Sequence, residues 1–174
     1  MSPKIHTAAS GDSEAIAHVY VETWRDAYPG MLPDKVLVGL SKPRHATFWH
    51  QQIEKPQSIV MVADDSDAGI VGFGSAGYAR APSLAHDGEV YTLYLLPDWR
   101  NRGTGRALLG GLFDALSSNG CRSGLVWVLA HNPSRFFYET MGGSVVAEKV
   151  EKLWGAPVHQ FAYGWASLSE AMVN

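Results

Sequence analysis

The segment from Glu89 to Leu109 constrains this chain most, because it joins a strand pattern to a helix pattern through a loop that contains glycine. Aromatic and β-branched residues dominate Glu89–Leu95, Pro97 ends that pattern, and apolar residues then recur at helical spacing. Gly103 and Gly105 therefore lie at a predicted helix N-terminus, where main-chain N–H groups lack partners within the helix and the macrodipole favours an anion. The segment predicts a phosphate or pyrophosphate site.

Two common phosphate-binding motifs do not fit. A P-loop requires Gly-Lys-Ser/Thr, whereas Arg106 follows Gly105. A literal Gly-x-Gly-x-x-Gly spans Gly72–Gly77, but the residues after it do not begin a helix, as a dinucleotide-binding motif requires. We interpret these glycines as part of a strand, and nucleotide hydrolysis is disfavoured.

The pattern Arg100-x-x-Gly103-x-Gly105 after a strand resembles the acyl-CoA pyrophosphate loop of the GNAT superfamily of N-acetyltransferases. A second block, Asn132–Gly143, resembles the later motif of that superfamily, in which an Asn precedes a short helix that carries Phe-Tyr-Glu and closes on Gly-Gly. Trp24–Pro33 is similar to a segment of many bacterial members. The resemblance implies an acetyl-CoA-dependent transfer of an acetyl group to a primary amine, without a metal.

The resemblance also implies roles for individual residues. Tyr138 would protonate the departing thiolate, and Trp24 and Tyr28 would form the wall of the acceptor site. Main-chain N–H groups in the strand would polarise the thioester carbonyl and pair with the pantetheine arm. The expected cofactor-binding residues are Leu93, Tyr94, Leu95, Arg100, Asn101, Arg102, Gly103, Thr104, Gly105, Arg106, Asn132 and Phe137.

Glu89 is the candidate general base, because several members of the superfamily carry a basic carboxylate at this place on the central strand. Partial burial beside Val90 and Tyr91 would favour proton uptake by such a carboxylate. A charged residue at the start of a strand is the alternative interpretation, with Tyr91 or a water molecule as the base. Tyr138, likewise, has the alternative of a core tyrosine that only packs.

Composition favours one enzyme domain over residues 1–174. The chain has 174 residues, 46% of them hydrophobic, and no linker or low-complexity stretch divides it. The net charge of −3 disfavours binding to nucleic acid or to anionic membranes. Cys121 is the only cysteine, so an intrachain disulfide is excluded, and the seven histidines lack metal-ligand spacing. Without an apolar leader or a membrane-spanning stretch, a cytoplasmic location is the expectation.

The order of elements predicts an α/β sandwich, with a GNAT-like mixed and mostly antiparallel central sheet flanked by helices. Two hypotheses about function stay open. The first is an N-acetyltransferase in which the amine attacks acetyl-CoA directly, with a small-molecule amine favoured over a peptide N-terminus. The second is a non-catalytic acyl-CoA-binding module that senses or scaffolds. The resemblance further suggests a homodimer formed through the exposed terminal strands.

Overall fold

The structure is a computed structural model that describes residues 1–81 and 85–171. Its strands are β1 Lys4–Thr7, β2 Ile59–Asp65, β3 Gly69–Tyr78, β4 Gly88–Leu95, β5 Gly124–Leu129, β6 Ser144–Leu153 and β7 Ala156–Trp165. Its α-helices are α1 Ser13–Ala27, α2 Asp34–Val38, α3 Lys42–Glu54, α4 Thr104–Ser118 and α5 Arg135–Thr140. Among these described helices, none is long and apolar enough to cross a membrane.

The strands form one sheet in the order β1-β2-β3-β4-β5-β7-β6. Neighbouring strands pair antiparallel except for β4 and β5, which are parallel. A parallel pair needs a long crossover, and α4 supplies it between β4 and β5. The mixed, mostly antiparallel sheet expected from the sequence is confirmed.

Helices cover both faces of this sheet. On one face, Ile16 of α1 and Trp49 of α3 pack with Phe73 of β3 in a buried cluster. On the other face, α4 inserts Leu109 and Leu112 into the larger core. The glycines of β3 permit this close approach, because a Cβ atom at Gly74 would lie 2.6 Å from Leu112 Cδ1. These residues are strand glycines, as interpreted from the sequence.

The sheet opens where β4 and β5 separate. Their parallel register runs from Gly88↔Gly124 to Val90↔Val126 and ends there, although both strands are fully described and continue. A bulge lies at the same point, since Val90 pairs with Ala76 and Thr92 pairs with Ser75, which leaves Tyr91 as the extra residue. The bulge bends β4 away from its parallel neighbour and leaves a gap between the two strand ends.

Candidate active site

A cavity of about 1120 Å³ occupies the gap between β4 and β5. The end of α1 and the loop after it, the loop that enters α4, helix α5 and the β6–β7 hairpin complete its walls. Pockets for one small molecule usually enclose roughly 300–1,000 Å³. The cavity therefore has room for a long ligand together with a second, smaller molecule.

Most of the site residues expected from the sequence come together here. Those that line the cavity are Trp24, Tyr28, Leu93, Tyr94, Leu95, Arg100, Asn101, Gly103, Gly105, Arg106, Asn132, Phe137 and Tyr138. Arg102, Thr104 and Glu89 are not among the lining residues. Arg102 instead places its guanidinium 5.4 Å from the centre of the Trp99 ring.

The loop before α4 has the geometry of an anion site. Gly103 precedes the helix with φ +83°, a left-handed conformation that favours glycine, and Asn101 also has a positive φ of +59°. Ala107 N–H closes the first turn onto Gly103 O at 3.0 Å. A Cβ atom at Gly105 would lie 3.3 Å from the Phe137 ring, so glycine lets α5 approach the start of α4. The cavity therefore meets the positive end of the helix dipole.

Arg100 fixes this loop to its neighbours. Its Nη1 donates to Asp26 Oδ2 at 2.7 Å, and its Nε donates to Leu95 O at 3.3 Å. The guanidinium thus links the loop to the end of α1 and to the end of β4. Arg106 lies on the first turn of α4 and lines the cavity beside it. Two cations accordingly lie beside the helix N-terminus, where a phosphate would be held.

The edge of β4 that faces the cavity presents main-chain groups. Leu96 N–H, just after β4, donates to Val71 O of β3 at 2.9 Å. Main-chain groups of successive residues alternate between the two edges of an extended strand, so those of Leu93 and Leu95 point away from β3 and toward the cavity. The bond from Arg100 to Leu95 O agrees with this direction. The N–H groups of Leu93 and Leu95 can therefore donate to a ligand between the strands.

Tyr138 lies on α5, where the side chain is only 6% exposed and still lines the cavity. Its ring is 5.2 Å from that of Phe137 and 6.1 Å from that of Tyr163. Burial raises the pKa of the phenol well above its ordinary value of 10. Tyr138 therefore keeps its proton at neutral pH and is able to donate it in a hydrogen bond. The neighbouring rings also pack against Tyr138. Its position therefore agrees both with a proton donor and with a core tyrosine that only packs.

Asn132 organises the start of α5. Its Oδ1 accepts a hydrogen bond from Ser134 N–H at 2.9 Å, and its main-chain carbonyl accepts from Arg135 N–H at 3.1 Å. The side chain is buried and lines the cavity. Burial raises the pKa of the nearby Tyr28, and hydrogen bonding to Tyr94 and Asn132 partly opposes this effect.

The structure places Glu89 outside the lining of the cavity. The side chain is 1% exposed, and its carboxylate accepts from Arg80 N at 3.0 Å, Arg80 Nε at 3.1 Å and Arg80 Nη2 at 2.5 Å. Both oxygens are therefore held by one arginine, outside the cavity lining. A general base must reach the proton that it removes, so we propose that Glu89 forms a structural ion pair instead. Sequence spacing placed it on the correct strand but could not reveal Arg80.

The acceptor side of the cavity includes residues that sequence reasoning missed. Trp154 comes from the β6–β7 hairpin, and its ring lies edge-on to that of Trp24 at 6.1 Å. Asp26 and Met31 also line the cavity. Gly155 between two strand patterns was the available signal for Trp154, because a glycine at that place indicates a turn.

Neither a cysteine nor a histidine is among the described residues that line the cavity. Cys121 is buried and is not among the lining residues, and burial raises the pKa of its thiol. A buried thiol of this kind is a poor nucleophile. Across residues 1–81 and 85–171, no group of three or more His, Cys, Asp or Glu side chains is placed to hold a metal ion.

Comparison with known proteins gives an independent view of the chain. The family model described as acetyltransferase (GNAT) family matches residues 16–142. YuaI, an uncharacterized N-acetyltransferase of Bacillus subtilis (strain 168), is 33% identical over 165 residues, which cover 95% of this chain and 94% of YuaI.

Solved structures agree on the fold. The PaiA N-acetyltransferase of Thermoplasma acidophilum, in complex with coenzyme A, superposes with a TM-score of 0.71 at 20% identity and covers 95% of this chain and 100% of its own. YncA of Salmonella typhimurium, with its cofactor acetyl-CoA, superposes with a TM-score of 0.69 at 18% identity and covers 96% of this chain and 94% of its own. The expected fold is confirmed by these similarities.

Proposed function

We propose, from the premise that this chain belongs to the acetyltransferase (GNAT) family, that it transfers the acetyl group of acetyl-CoA to a small primary amine. Membership of the family establishes an acetyl-CoA-dependent N-acetyltransferase. The small size of the amine acceptor is our proposal. One observation carries the proposal: a single cavity joins an anion-binding helix N-terminus, an open strand edge and a buried tyrosine.

The cavity fits the cofactor in two places. The pyrophosphate would lie against the loop from Asn101 to Arg106, where the dipole of α4 and two arginines favour negative charge. The amides of the pantetheine arm would pair with main-chain groups of Leu93 and Leu95 between the separated strands. The fit leaves the aromatic end of the cavity for the acceptor. YncA and PaiA hold acetyl-CoA and coenzyme A on the same fold.

Acetyl-CoA supplies an acyl thioester, and the chain supplies orientation and a proton. In the balanced reaction the amine nitrogen forms a bond to the carbonyl carbon, the carbon–sulfur bond breaks, and the nitrogen loses one proton while the sulfur gains one. Main-chain N–H groups of β4 are placed to donate to the carbonyl oxygen. The Tyr138 hydroxyl holds a proton for the departing sulfur. Because Cys121 lies outside the cavity lining, we propose direct transfer without an acetylated cysteine.

The described lining has no unpaired base for the incoming amine. Its only carboxylate belongs to Asp26, which Arg100 binds at 2.7 Å. Burial raises the pKa of the lining tyrosines Tyr28, Tyr91, Tyr94 and Tyr138, so they stay protonated at neutral pH. We therefore propose that the amine reacts in its neutral form, after giving its proton to water.

The contact between Trp24 and Trp154 supports a small acceptor. It joins the end of α1 to the tip of the β6–β7 hairpin across the acceptor side of the cavity. A peptide chain needs an open groove to extend on both sides of its reacting end, and this contact spans such a route. A compact amine needs only the enclosed space.

The proposal is tested by thiol release from acetyl-CoA over a panel of amines, with mass spectrometry of the products. We expect acetylated amine and free coenzyme A in equal amounts, and no acetylated protein when acetyl-CoA is added alone. The Cys121→Ala variant should keep its activity. Tight binding of coenzyme A with no turnover across small amines and peptides would contradict the proposal and favour a sensor.

A further inference from the structure

We infer that the acetyl acceptor is a primary monoamine with an apolar body, an inference that rests on the proposed function and narrows it. Three aromatic rings form the acceptor wall. Trp24 contacts Tyr28 edge-on at 4.9 Å between ring centres and contacts Trp154 edge-on at 6.1 Å. Aliphatic side chains complete this wall, namely Met31, Leu32, Leu129 and Leu153. Rings and aliphatic chains bind apolar surface, and the polar groups of these seven side chains are only the Tyr28 hydroxyl and the two indole N–H groups.

Trp154 occupies a position that does not favour tryptophan. Leu153 pairs with Ala156, so Trp154 and Gly155 form a two-residue turn with φ of +51° and +80°. Turns with two positive φ values favour Asn and Gly, because bulky side chains rarely adopt this conformation. The ring is nonetheless 39% exposed and directed into the cavity wall. A large side chain held against the backbone preference at a cavity indicates that the ring itself is used.

Charge in the cavity argues against a second ionised group on the acceptor. Asp26 is occupied by Arg100, so the described lining provides no carboxylate for a second ammonium group. Arg100 is paired with Asp26 and Arg106 lies on the first turn of α4, so the described lining shows no further cation for a substrate carboxylate. An ionised group buried without a partner is strongly disfavoured. Polyamines and amino acids should therefore be poor acceptors.

A matched series of amines tests this inference. We expect kcat/KM to increase about two- to fourfold for each methylene from propylamine to pentylamine, which is the affinity that a buried methylene contributes. Pentylamine should exceed 1,5-diaminopentane and 5-aminopentanoate by more than about tenfold, because these molecules differ from it by a charged end. Phenethylamine should be at least as good as pentylamine. All rates are compared at the same concentration of neutral amine.

Variants of the wall provide the second part of the test. Trp154→Asn suits the turn, so the melting temperature should hold, while kcat/KM for phenethylamine should fall about tenfold or more with the KM for acetyl-CoA unchanged. Phe48→Ala removes an exposed ring of α3 outside the cavity. It should leave both kcat/KM for phenethylamine and the KM for acetyl-CoA unchanged. Met31→Asp introduces a carboxylate at the wall and should shift the preference toward 1,5-diaminopentane.

The outcomes separate this inference from the proposed function. Acetyl transfer that favours 1,5-diaminopentane, 5-aminopentanoate or a peptide would overturn the inference and leave the transferase activity standing. Unchanged phenethylamine kinetics in folded Trp154→Asn would also overturn it. If no amine is acetylated, calorimetry with the coenzyme A complex decides: phenethylamine binding that is lost in Trp154→Asn supports the apolar acceptor wall, and absence of binding overturns it.

Discussion

Tyr138 and Glu89 illustrate, at the scale of single residues, how access to the cavity distinguishes two buried side chains. Both side chains are almost inaccessible to solvent, at 6% and 1% exposure. Tyr138 nevertheless lines the cavity, whereas Glu89 is enclosed by its bonds to Arg80. The neutral phenol keeps a proton to donate, whereas the carboxylate already accepts three hydrogen bonds from Arg80. Their substitutions should therefore have different effects.

Tyr138→Phe should lower kcat about 100-fold and leave the KM for acetyl-CoA nearly unchanged, since a general acid usually contributes 100-fold or more. Because burial raises the pKa of Tyr138, the acid stays protonated as pH rises, and the wild-type kcat should not decline up to about pH 10. Steady-state kinetics across this range checks both points.

The matched control is Tyr163→Phe. Tyr163 packs against Tyr138 and donates to Glu139 Oε1 at 2.8 Å, but it is not a lining residue. Loss of its hydroxyl should reduce stability and leave kcat within about twofold of wild type. Equal losses of kcat in the two variants would contradict the role of Tyr138 as the acid.

Glu89→Gln should leave the shape of the kcat/KM pH profile unchanged, because the neutral amine and not this carboxylate sets the rise of the rate with pH. The expected effect is on stability. Arg80→Met should lower the free energy of unfolding by about 3 kcal/mol, because it leaves a buried carboxylate without its cation. Glu89→Gln should lower it less, because Arg80 is mostly exposed and water can solvate it. Urea unfolding measures the stabilities, and kinetics over a pH series measures the profile. If folded Glu89→Gln loses the acidic limb of the kcat/KM pH profile, Glu89 is the base after all.

The start of α4 is the element that connects backbone geometry to cofactor binding. Gly103 and Gly120 flank this helix, and both have a left-handed φ, of +83° and +89°. A Cβ atom would meet no atom within 4 Å at either position, so the backbone strain of a substitution is similar at the two ends. Only Gly103 lines the cavity. The pair therefore separates strain from ligand contact.

Gly103→Val should lower the affinity for coenzyme A by more than about tenfold, because a branched side chain would distort the loop and occupy the pyrophosphate space. Gly120→Val should destabilise the protein to a similar degree, roughly 1–2 kcal/mol, with coenzyme A affinity unchanged. Calorimetry on the folded variants, with thermal melts beside it, distinguishes the two effects. Unchanged affinity of Gly103→Val for coenzyme A would contradict the prediction that the pyrophosphate binds at this loop.

At the scale of the whole molecule, the β6 edge of the sheet carries an exposed valine flanked by alternating charged residues. Among the described strands, β6 lies last at its edge, and Val150 near its centre is 68% exposed. Antiparallel pairing of two β6 strands about Val150 would place Glu148 opposite Lys152 and Lys149 opposite Glu151. Opposite charges directly across a strand pair are favourable. A homodimer through the terminal strands therefore stays our prediction.

Val150→Lys should convert this dimer to a monomer, because two like charges would then face each other across the strand pair. Val38→Lys is the matched control, since Val38 of α2 is also exposed but is remote in sequence from β6. Sedimentation equilibrium measures the mass of each protein. A wild-type monomer, or a dimer that persists in Val150→Lys, would contradict the prediction.

Local sequence determined much of the fold and of the cofactor end of the site. The hydrophobic periods locate the strands and helices, and the glycines at the start of α4 need only their immediate neighbours to form the anion site. Leu93, Leu95 and Gly103 therefore lie where the sequence pattern placed them. For Gly103 the deciding interaction is within one turn, which is why a local pattern can reveal it, whereas Leu93 and Leu95 face the cavity because β4 separates from β5.

Long-range contacts decided the rest. Arg80 and Glu89 are nine residues apart, and only the packing around β4 shows that their ion pair removes the carboxylate from the cavity. Trp24 and Trp154 are distant in the chain, and only the closure of the β6–β7 hairpin over α1 brings their rings together. Burial and pairing depend on which distant residues meet. The sequence alone therefore determined the glycine loop at which we propose that the cofactor binds, and the tertiary structure decided the proposed acceptor wall and the absence of a free base among the described lining residues.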